Sequence, residues 1–285
     1  MKVLNFGGIP TSLGEIINIK YHLDLVKHEY KNIRLGFDRG LWAANLHVES
    51  PDWPAKQALW DKYLYDIGQL FFSEFPYTLD PHPRNFGGCA DSVVARIGIS
   101  PQKPELAHLL CKGTPLNLDQ EYIVITTKVR QLPQAKFAPL SIQLWRVLKQ
   151  LTNKYKLVIL GERKVEMRKE YAIYAKKKEI FGIYDNIMVN IPNDRILDLT
   201  VPALGETVSD LAQVQQDCLI MNQAKFVITI GIGGNFCMAT SVAKMAIGYR
   251  QDTLQFTDRI FTKEYPNAII TKNWIRFIEA LSKYL

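Results

Sequence analysis

Short apolar runs rich in β-branched residues recur along the chain, each followed by a segment with helical periodicity. In the first half, the pattern predicts a strand over Lys2–Phe6, a helix from Leu13 to Lys27 and a second strand over Ile33–Phe37. A strand, a helix and a strand joined by short links make the βαβ unit of a parallel sheet. The opening of the chain therefore predicts an α/β fold.

The second half repeats this alternation more regularly. Its predicted strands are Glu121–Thr127, Lys156–Leu160, Arg195–Thr200 and Phe226–Ile230. Its predicted helices are Leu140–Tyr155, Leu211–Gln223, a segment from Asn235 to about Met245, and Asn273–Tyr284. Sequential strands and helices of this kind form a doubly wound parallel sheet.

A break in the pattern divides the chain into two domains. Residues 98–119 contain three prolines and two glycines, and a clear strand follows at once. The length of 285 residues also exceeds what one core usually covers. We expect two Rossmann-like domains facing a cleft, over residues 1–118 and 119–285, with the last helix a candidate for packing back on the first domain.

The net charge and the hydropathy limit which binding partners and which cellular location we expect. A net charge of +7 suits an anionic ligand, an anionic membrane surface or nucleic acid. Because no compact basic and aromatic motif occurs, nucleic acid is not expected. The sequence has no run of ~18 apolar residues that could cross a bilayer, and its first apolar stretch is too short for a signal peptide. We expect a cytoplasmic protein, with peripheral attachment to a membrane left open.

The metal-binding residue types are not grouped in the sequence. The four cysteines show no CxxC spacing, no histidines pair at ligand spacing, and no Asp-x-Asp motif occurs. These spacings favour free, mostly buried thiols over a zinc site or a disulfide framework. We therefore expect neither a metal ion nor a cofactor.

The segment Gly231–Asn235 is the strongest candidate for ligand binding. Gly231, Gly233 and Gly234 let the backbone approach a ligand, and a helix N-terminus that follows them attracts a diphosphate. The alternative is a tight strand-to-helix turn in which Asn235 caps the helix. The segment is neither a Walker A loop nor a dinucleotide fingerprint, because Phe236 takes the place of the third glycine of GxGxxG.

Residues after the neighbouring strands are candidates for the same ligand, because ligands of open α/β sheets bind at the carboxyl ends of strands. They are Thr127, Lys128, Arg130, Gly161, Glu162, Thr200 and Leu204. Hydroxyls and cations such as those of Thr127 and Arg130 hold phosphate oxygens. The alternative is that these loops are merely solvated.

In the first half, Glu15 is the candidate catalytic base. It stands at the start of a predicted helix, where a carboxylate could take a proton from an incoming hydroxyl. The alternative is an acidic residue that only stabilises the helix N-terminus. Gly14, His82 and Arg84 are the candidates for binding the acceptor.

Three segments resemble the GT-B glycosyltransferases, and among them the heptosyltransferase-like family that acts on lipopolysaccharide. Ser12–Ile17 resembles the family's Leu-Gly-Asp-hydrophobic start, and Glu121–Arg130 resembles the beginning of its nucleotide domain. Asp217–Ile247 resembles its donor-binding strand, loop and helix. Two departures stand out: Glu15 replaces the usual Asp, and the loop at Gly231–Met238 lacks the family's acidic residue, proline and histidine.

The resemblance implies metal-independent, inverting transfer of a sugar from a nucleotide-sugar to a glycan or glycolipid acceptor. Glu15 would deprotonate the acceptor, while Gly231–Asn235, Lys128 and Arg130 would stabilise the departing nucleoside diphosphate. The departures leave the donor sugar open. Three other functions stay open too: a nucleotide-sugar epimerase, a nicotinamide-dependent oxidoreductase, and a silent relative that binds a glycan or a protein partner.

Overall fold

The chain forms two compact units. One comprises Met1–Pro104 with Val208–Gln213, and the other comprises Glu105–Thr207 with Val214–Leu285. The computed structural model describes residues 2–9, 13–37, 65–79, 106–127, 142–161, 183–201, 211–230, 234–249 and 267–285.

The first unit contains a parallel three-stranded sheet in the order β1-β2-β3. Its elements are β1 (Lys2–Ile9), α1 (Leu13–Val26), β2 (Tyr30–Phe37) and β3 (Tyr77–Leu79). The predicted strand, helix and strand are confirmed, with both strands longer than expected. Residues 65–72 form a further helix ahead of β3.

A polar network joins α1 to β3. Lys20 is only 5% exposed, and its ammonium group contacts Asp24 Oδ2 at 2.5 Å. The hydroxyl of Tyr77 donates a hydrogen bond of 2.7 Å to Asp24 Oδ1. Burial raises the pKa of Tyr77, and the Asp24 carboxylate raises it further. The Asp24 carboxylate therefore compensates the buried charge of Lys20 and ties the helix to the last strand.

The second unit contains six parallel strands in the order β6-β5-β4-β7-β8-β9. They are β4 (Tyr122–Thr126), β5 (Lys156–Leu160), β6 (Ile196–Asp198), β7 (Val227–Ile230), β8 (Ala246–Tyr249) and β9 (Ala268–Thr271). Counted from β4, this order is 3-2-1-4-5-6, the arrangement of dinucleotide-binding folds. The predicted doubly wound sheet is confirmed.

Helices cover both faces of this sheet. They are α2 (Ala107–Leu110), α3 (Ile142–Leu151), α4 (Ile183–Asn190), α5 (Leu211–Gln223), α6 (Gly234–Val242) and α7 (Trp274–Ser282). Side chains from α3, α4 and α7 pack on Ile125, Ile159 and Ile228 in one buried cluster. Alternate strand residues face the opposite side, where the Tyr122 hydroxyl donates to the Ile220 carbonyl of α5 at 2.9 Å.

The segment before β4 packs with the second unit. The Thr114 N–H donates to Gln216 Oε1 at 2.9 Å, and Gln216 Nε2 donates back to the Thr114 carbonyl at 2.8 Å. The Leu116 N–H donates to Gln223 Oε1 at 3.1 Å. These hydrogen bonds join the segment before β4 to α5. The expected domain boundary near residue 118 stays a prediction. No helix within the described ranges is both long and apolar enough to cross a bilayer.

Candidate functional site

The order of the strands reverses between β4 and β7. The chain leaves β4 towards β5 on one side, and it leaves β7 towards β8 on the other. In open α/β sheets, ligands bind outside the carboxyl ends of the strands at such a switch point. Thr126 and Thr229 are register partners across it. The two segments predicted to bind phosphate, Thr127–Arg130 and Gly231–Asn235, therefore both begin there.

Thr127 is held by the neighbouring strand. Its backbone N–H donates to the Leu160 carbonyl at 2.9 Å, and its Oγ1 donates to the same carbonyl at 3.2 Å. The hydroxyl hydrogen is therefore directed at β5. Lys128 and Arg130 lie outside the described residues, so the phosphate-binding role of all three stays a prediction.

The hydroxyl of Thr229 lies at the switch point without a hydrogen-bond partner among the described residues. The residue is 1% exposed, and its Oγ1 is fully buried. Its register partner on β8 is Gly248, and the buried ring of Phe236 lies over that glycine. An unpaired buried hydroxyl typically costs about 1–3 kcal/mol, so Thr229 Oγ1 is expected to bind a buried water molecule.

Helix α6 begins at Gly234, directly after the glycine-rich segment. Asn235 is thus the second residue of the helix and lies half-buried in its first turn, rather than at the capping position before it. The first N–H groups of any helix lack intrahelical acceptors and form the positive end of its dipole. Gly231 and Gly233 lie outside the described residues, and the diphosphate-binding role of the segment stays a prediction.

The other end of α6 is fixed by hydrogen bonds to its terminal carbonyls. Asn222 Nδ2 donates to the Val242 carbonyl at 2.6 Å, and the Leu106 N–H donates to the Ser241 carbonyl at 3.3 Å. Asn267 Nδ2 donates to the Ala243 carbonyl, just past the helix, at 3.1 Å. These bonds satisfy carbonyls that a helix C-terminus otherwise leaves unpaired, so the buried helix is anchored at the end away from the switch point.

The ends of β5 and β6 are joined by a second set of hydrogen bonds. Gly161 has a φ of +106°, which favours glycine, and its carbonyl accepts the Val201 N–H at 2.8 Å. The Thr200 N–H and hydroxyl both donate to Asp198 Oδ1, at 3.0 and 2.5 Å. The Tyr184 hydroxyl donates to Asp198 Oδ2 at 2.8 Å. The predicted residue Thr200 is therefore oriented by a carboxylate.

Asp198 and Tyr184 were not among the sequence candidates. Asp198 lies near the carboxyl end of the predicted strand Arg195–Thr200, and that position was the sequence signal for a site residue. Tyr184 had no such signal, because α4 was not predicted. Glu162 and Leu204 lie outside the described residues. Their roles, like those of Gly161 and Thr200, stay predictions.

In the first unit, Gly14 and Glu15 are the second and third residues of α1. Because α1 connects the parallel strands β1 and β2, its N-terminus lies at the carboxyl edge of that sheet. This is the edge at which a catalytic residue is expected. The side chain of Glu15, and all of His82 and Arg84, lie outside the described part of the chain, so these assignments stay predictions.

The described ranges contain three cysteines. Cys111, Cys218 and Cys237 are free thiols, as the sequence predicted. Burial raises the pKa of Cys111 and raises that of Cys218 well above its usual value. Since the thiolate is the reactive form, these two residues are poor nucleophiles. Within the same ranges, no three His, Cys, Asp or Glu residues come together as a metal site, and the expectation of metal independence stays a prediction.

Comparison with known proteins shows the fold. No family model and no curated protein sequence matches the chain. Among solved structures, the iron-containing dodecameric glycosyltransferase TibC from enterotoxigenic E. coli H10407 matches 95% of the chain with a TM-score of 0.50 and 12% identity. This chain covers 64% of the TibC chain, or just under two thirds.

Two more solved structures are similar. The E. coli ADP-heptose lps heptosyltransferase II matches 100% of this chain and 98% of its own, at 14% identity and a TM-score of 0.48. A glycosyl transferase family 9 protein from Veillonella parvula DSM 2008 matches 100% of this chain and 92% of its own, at 12% identity and a TM-score of 0.46. The likeness to TibC, together with the two parallel sheets, shows that this chain has the α/β fold of the GT-B glycosyltransferases, built from two Rossmann-like units.

Proposed function

We propose that this protein is a glycosyltransferase that moves a sugar from a nucleotide-sugar donor to a hydroxyl of a glycan or glycolipid acceptor. The observation that carries the proposal is the switch point between β4 and β7. There, the N-terminus of a buried helix directly follows the glycine-rich segment. This combination suits a diphosphate.

The donor binds in the second unit. The N–H groups of Gly231–Asn235 and the cations of Lys128 and Arg130 hold the diphosphate. Backbone and side-chain groups at Gly161, Glu162, Thr200 and Leu204 contact the nucleoside. The hydrogen bonds from Thr200 to Asp198 support this arrangement, because they fix the orientation of Thr200 just after β6.

The acceptor binds in the first unit, at Gly14, His82 and Arg84. Glu15 takes the proton of the acceptor hydroxyl, whose oxygen forms a bond to the anomeric carbon. The bond from that carbon to the diphosphate oxygen breaks, and the nucleoside diphosphate leaves with the electron pair. Attack opposite the leaving group inverts the anomeric centre. Dipoles and cations aimed at the developing charge stabilise the transition state.

Two further features belong to the proposal. Transfer needs no metal ion, because Lys128, Arg130 and the helix N-terminus neutralise the diphosphate; a chelator should therefore leave the rate unchanged. The protein acts in the cytoplasm, with its net charge of +7 favouring peripheral contact with an anionic membrane that carries a glycolipid acceptor.

A thermal-shift screen with nucleoside diphosphates and nucleotide-sugars tests the proposal. A ligand at a hundredfold excess over its dissociation constant stabilises the protein by about 2.7 kcal/mol, so at least one nucleotide is expected to raise the melting temperature. The stabilising donor is then incubated with and without acceptor glycans. Transfer that depends on an acceptor supports the proposal. A new sugar nucleotide from the donor alone would indicate an epimerase, and folded protein without nucleotide binding would indicate a silent relative.

A further inference from the structure

Phe236 is the third residue of α6 and points into the second unit. It is 1% exposed and occupies the place that the third glycine holds in dinucleotide-binding folds. That glycine lets the helix pack closely on the sheet. A phenylalanine at this place must find space elsewhere, because its ring would otherwise hold the helix away from the strands.

The space is provided by Gly248 on β8. A Cβ atom at Gly248 would lie 2.7 and 2.9 Å from Cε2 and Cδ2 of the Phe236 ring, and 3.0 Å from Thr229 Oγ1. The two distances to the ring carbons are shorter than van der Waals contacts between carbon atoms. Since the ring is enclosed, it cannot turn into solvent to relieve the overlap. The glycine required for close packing thus lies on the strand instead of the helix.

Displacement of the ring would act on one end of α6. The far end is anchored by Asn222 to the Val242 carbonyl and by Asn267 to the Ala243 carbonyl. Phe236 belongs to the first turn, next to Gly234 and Asn235. A shift of its ring would therefore tilt the helix about its anchored end and move the N-terminal N–H groups at the switch point.

We propose that Gly248 is a positioning residue for nucleotide binding. Because Gly248 leaves space for the Phe236 ring above β8, it determines the distance between the first turn of α6 and the sheet at the switch point. Gly248 touches no ligand itself and acts through Phe236. This inference rests on the proposed donor site, and it adds a residue outside the glycine-rich segment that controls affinity for a nucleoside diphosphate.

The experiment measures the dissociation constants of ADP and UDP by calorimetry for the full chain and four variants: Gly248→Ala, Phe236→Leu, their combination, and Asn222→Ala. The single changes at Gly248 and Phe236 should each weaken binding, Gly248→Ala by about tenfold, which corresponds to about 1.4 kcal/mol. The double variant should recover most of the affinity, because the smaller leucine makes room for the new methyl group. Asn222→Ala perturbs the anchored end and should lower the melting temperature with affinity kept.

Failure of this inference and failure of the proposed function give different results. A wild-type chain that binds neither ADP, UDP nor any other nucleotide of the screen contradicts the proposed function, and this inference with it. A wild-type chain that binds, with Gly248→Ala of equal affinity, contradicts the inference alone. If Gly248→Ala does not fold, the double variant is compared with Phe236→Leu. Tighter binding by the double variant supports the positioning role, and equal or weaker binding contradicts it.

Discussion

Thr126 and Thr229 lie opposite each other on the two central strands of the six-stranded sheet, although they are far apart in the chain. Both are buried, and the order in which the chain adds strands to the sheet reverses between β4 and β7. This pairing places the starts of the two segments predicted to bind phosphate on neighbouring strands. It also defines the carboxyl edge at which the proposed donor diphosphate binds.

Replacement of Glu15 by Gln should remove the general base and retain the nucleotide site. General-base catalysis is typically worth about 10²–10⁴-fold, so turnover of the donor identified by the screen should fall by that order with little change in donor affinity. Glu29→Gln is the matched control, because Glu29 is an exposed carboxylate of the same unit. Normal turnover by Glu15→Gln would remove this residue from the mechanism.

Replacement of Gly233 by Val should block the approach of a diphosphate to the backbone of the glycine-rich segment. We expect loss of calorimetric ADP or UDP binding, with circular dichroism unchanged. Gly233→Ala adds a smaller side chain and should give an intermediate affinity. Unchanged nucleotide affinity in folded Gly233→Val protein would argue that the diphosphate lies elsewhere.

Removal of the Asp24 carboxylate should destabilise the first unit. Lys20 has a side chain only 7% exposed, and Asp24→Asn would leave its charge buried without a counter-ion. Breaking such a pair on one side costs about 3–5 kcal/mol when it is fully buried, and we expect about 3 kcal/mol in urea unfolding because Asp24 is partly exposed. Lys27→Ala removes the more exposed partner of the same carboxylate, 3.6 Å away, and should cost less than about 1 kcal/mol. Equal effects of the two variants would contradict the network.

Stability should fall at alkaline pH through Tyr122. Burial raises the pKa of this phenol from about 10 to about 12 in the folded chain. The folded state therefore keeps the proton more tightly than the unfolded chain. The contribution of Tyr122 is complete below pH 10 and is lost as pH rises towards 12, with a limiting slope of about 1.4 kcal/mol per pH unit.

Unfolding free energies measured from pH 8 to 12 test this dependence. Tyr122→Phe should be less stable than the wild type near neutral pH, because it loses the hydrogen bond to the Ile220 carbonyl, and its profile should be flatter above pH 10. Tyr65 is 45% exposed, and Tyr65→Phe should follow the wild-type curve. Parallel alkaline profiles for the wild type and Tyr122→Phe would contradict the assignment.

Local sequence predicted those elements whose composition matches their structure. Strand β5 was placed at Lys156–Leu160 because its aliphatic residues favour a buried strand, and helix α5 was placed at Leu211–Gln223. Strand β8 was missed because Ala246 and Gly248 are weak strand formers. Gly248 is explained by a tertiary contact, the ring of Phe236, and local propensity carries no information about such a contact.

The site was predictable only in part for the same reason. The glycine-rich segment and Thr127 are local features that follow predicted strands. Their adjacency depends on the lateral order of the strands, and βαβ periodicity does not specify that order. The carboxylate of Asp198 and the hydroxyl of Tyr184 meet across two elements, so neither residue identified the other in the sequence.

The location of the diphosphate tests the central claim most directly. A crystal of the full chain soaked with a thiophosphate analogue of ADP, or of whichever nucleotide the screen identifies, would locate the sulfur by anomalous diffraction. We predict a peak within hydrogen-bonding reach of the first turn of α6, above the carboxyl ends of β4 and β7. A peak at the opposite edge of the sheet, or in a place unrelated to Gly234 and Asn235, would contradict the account.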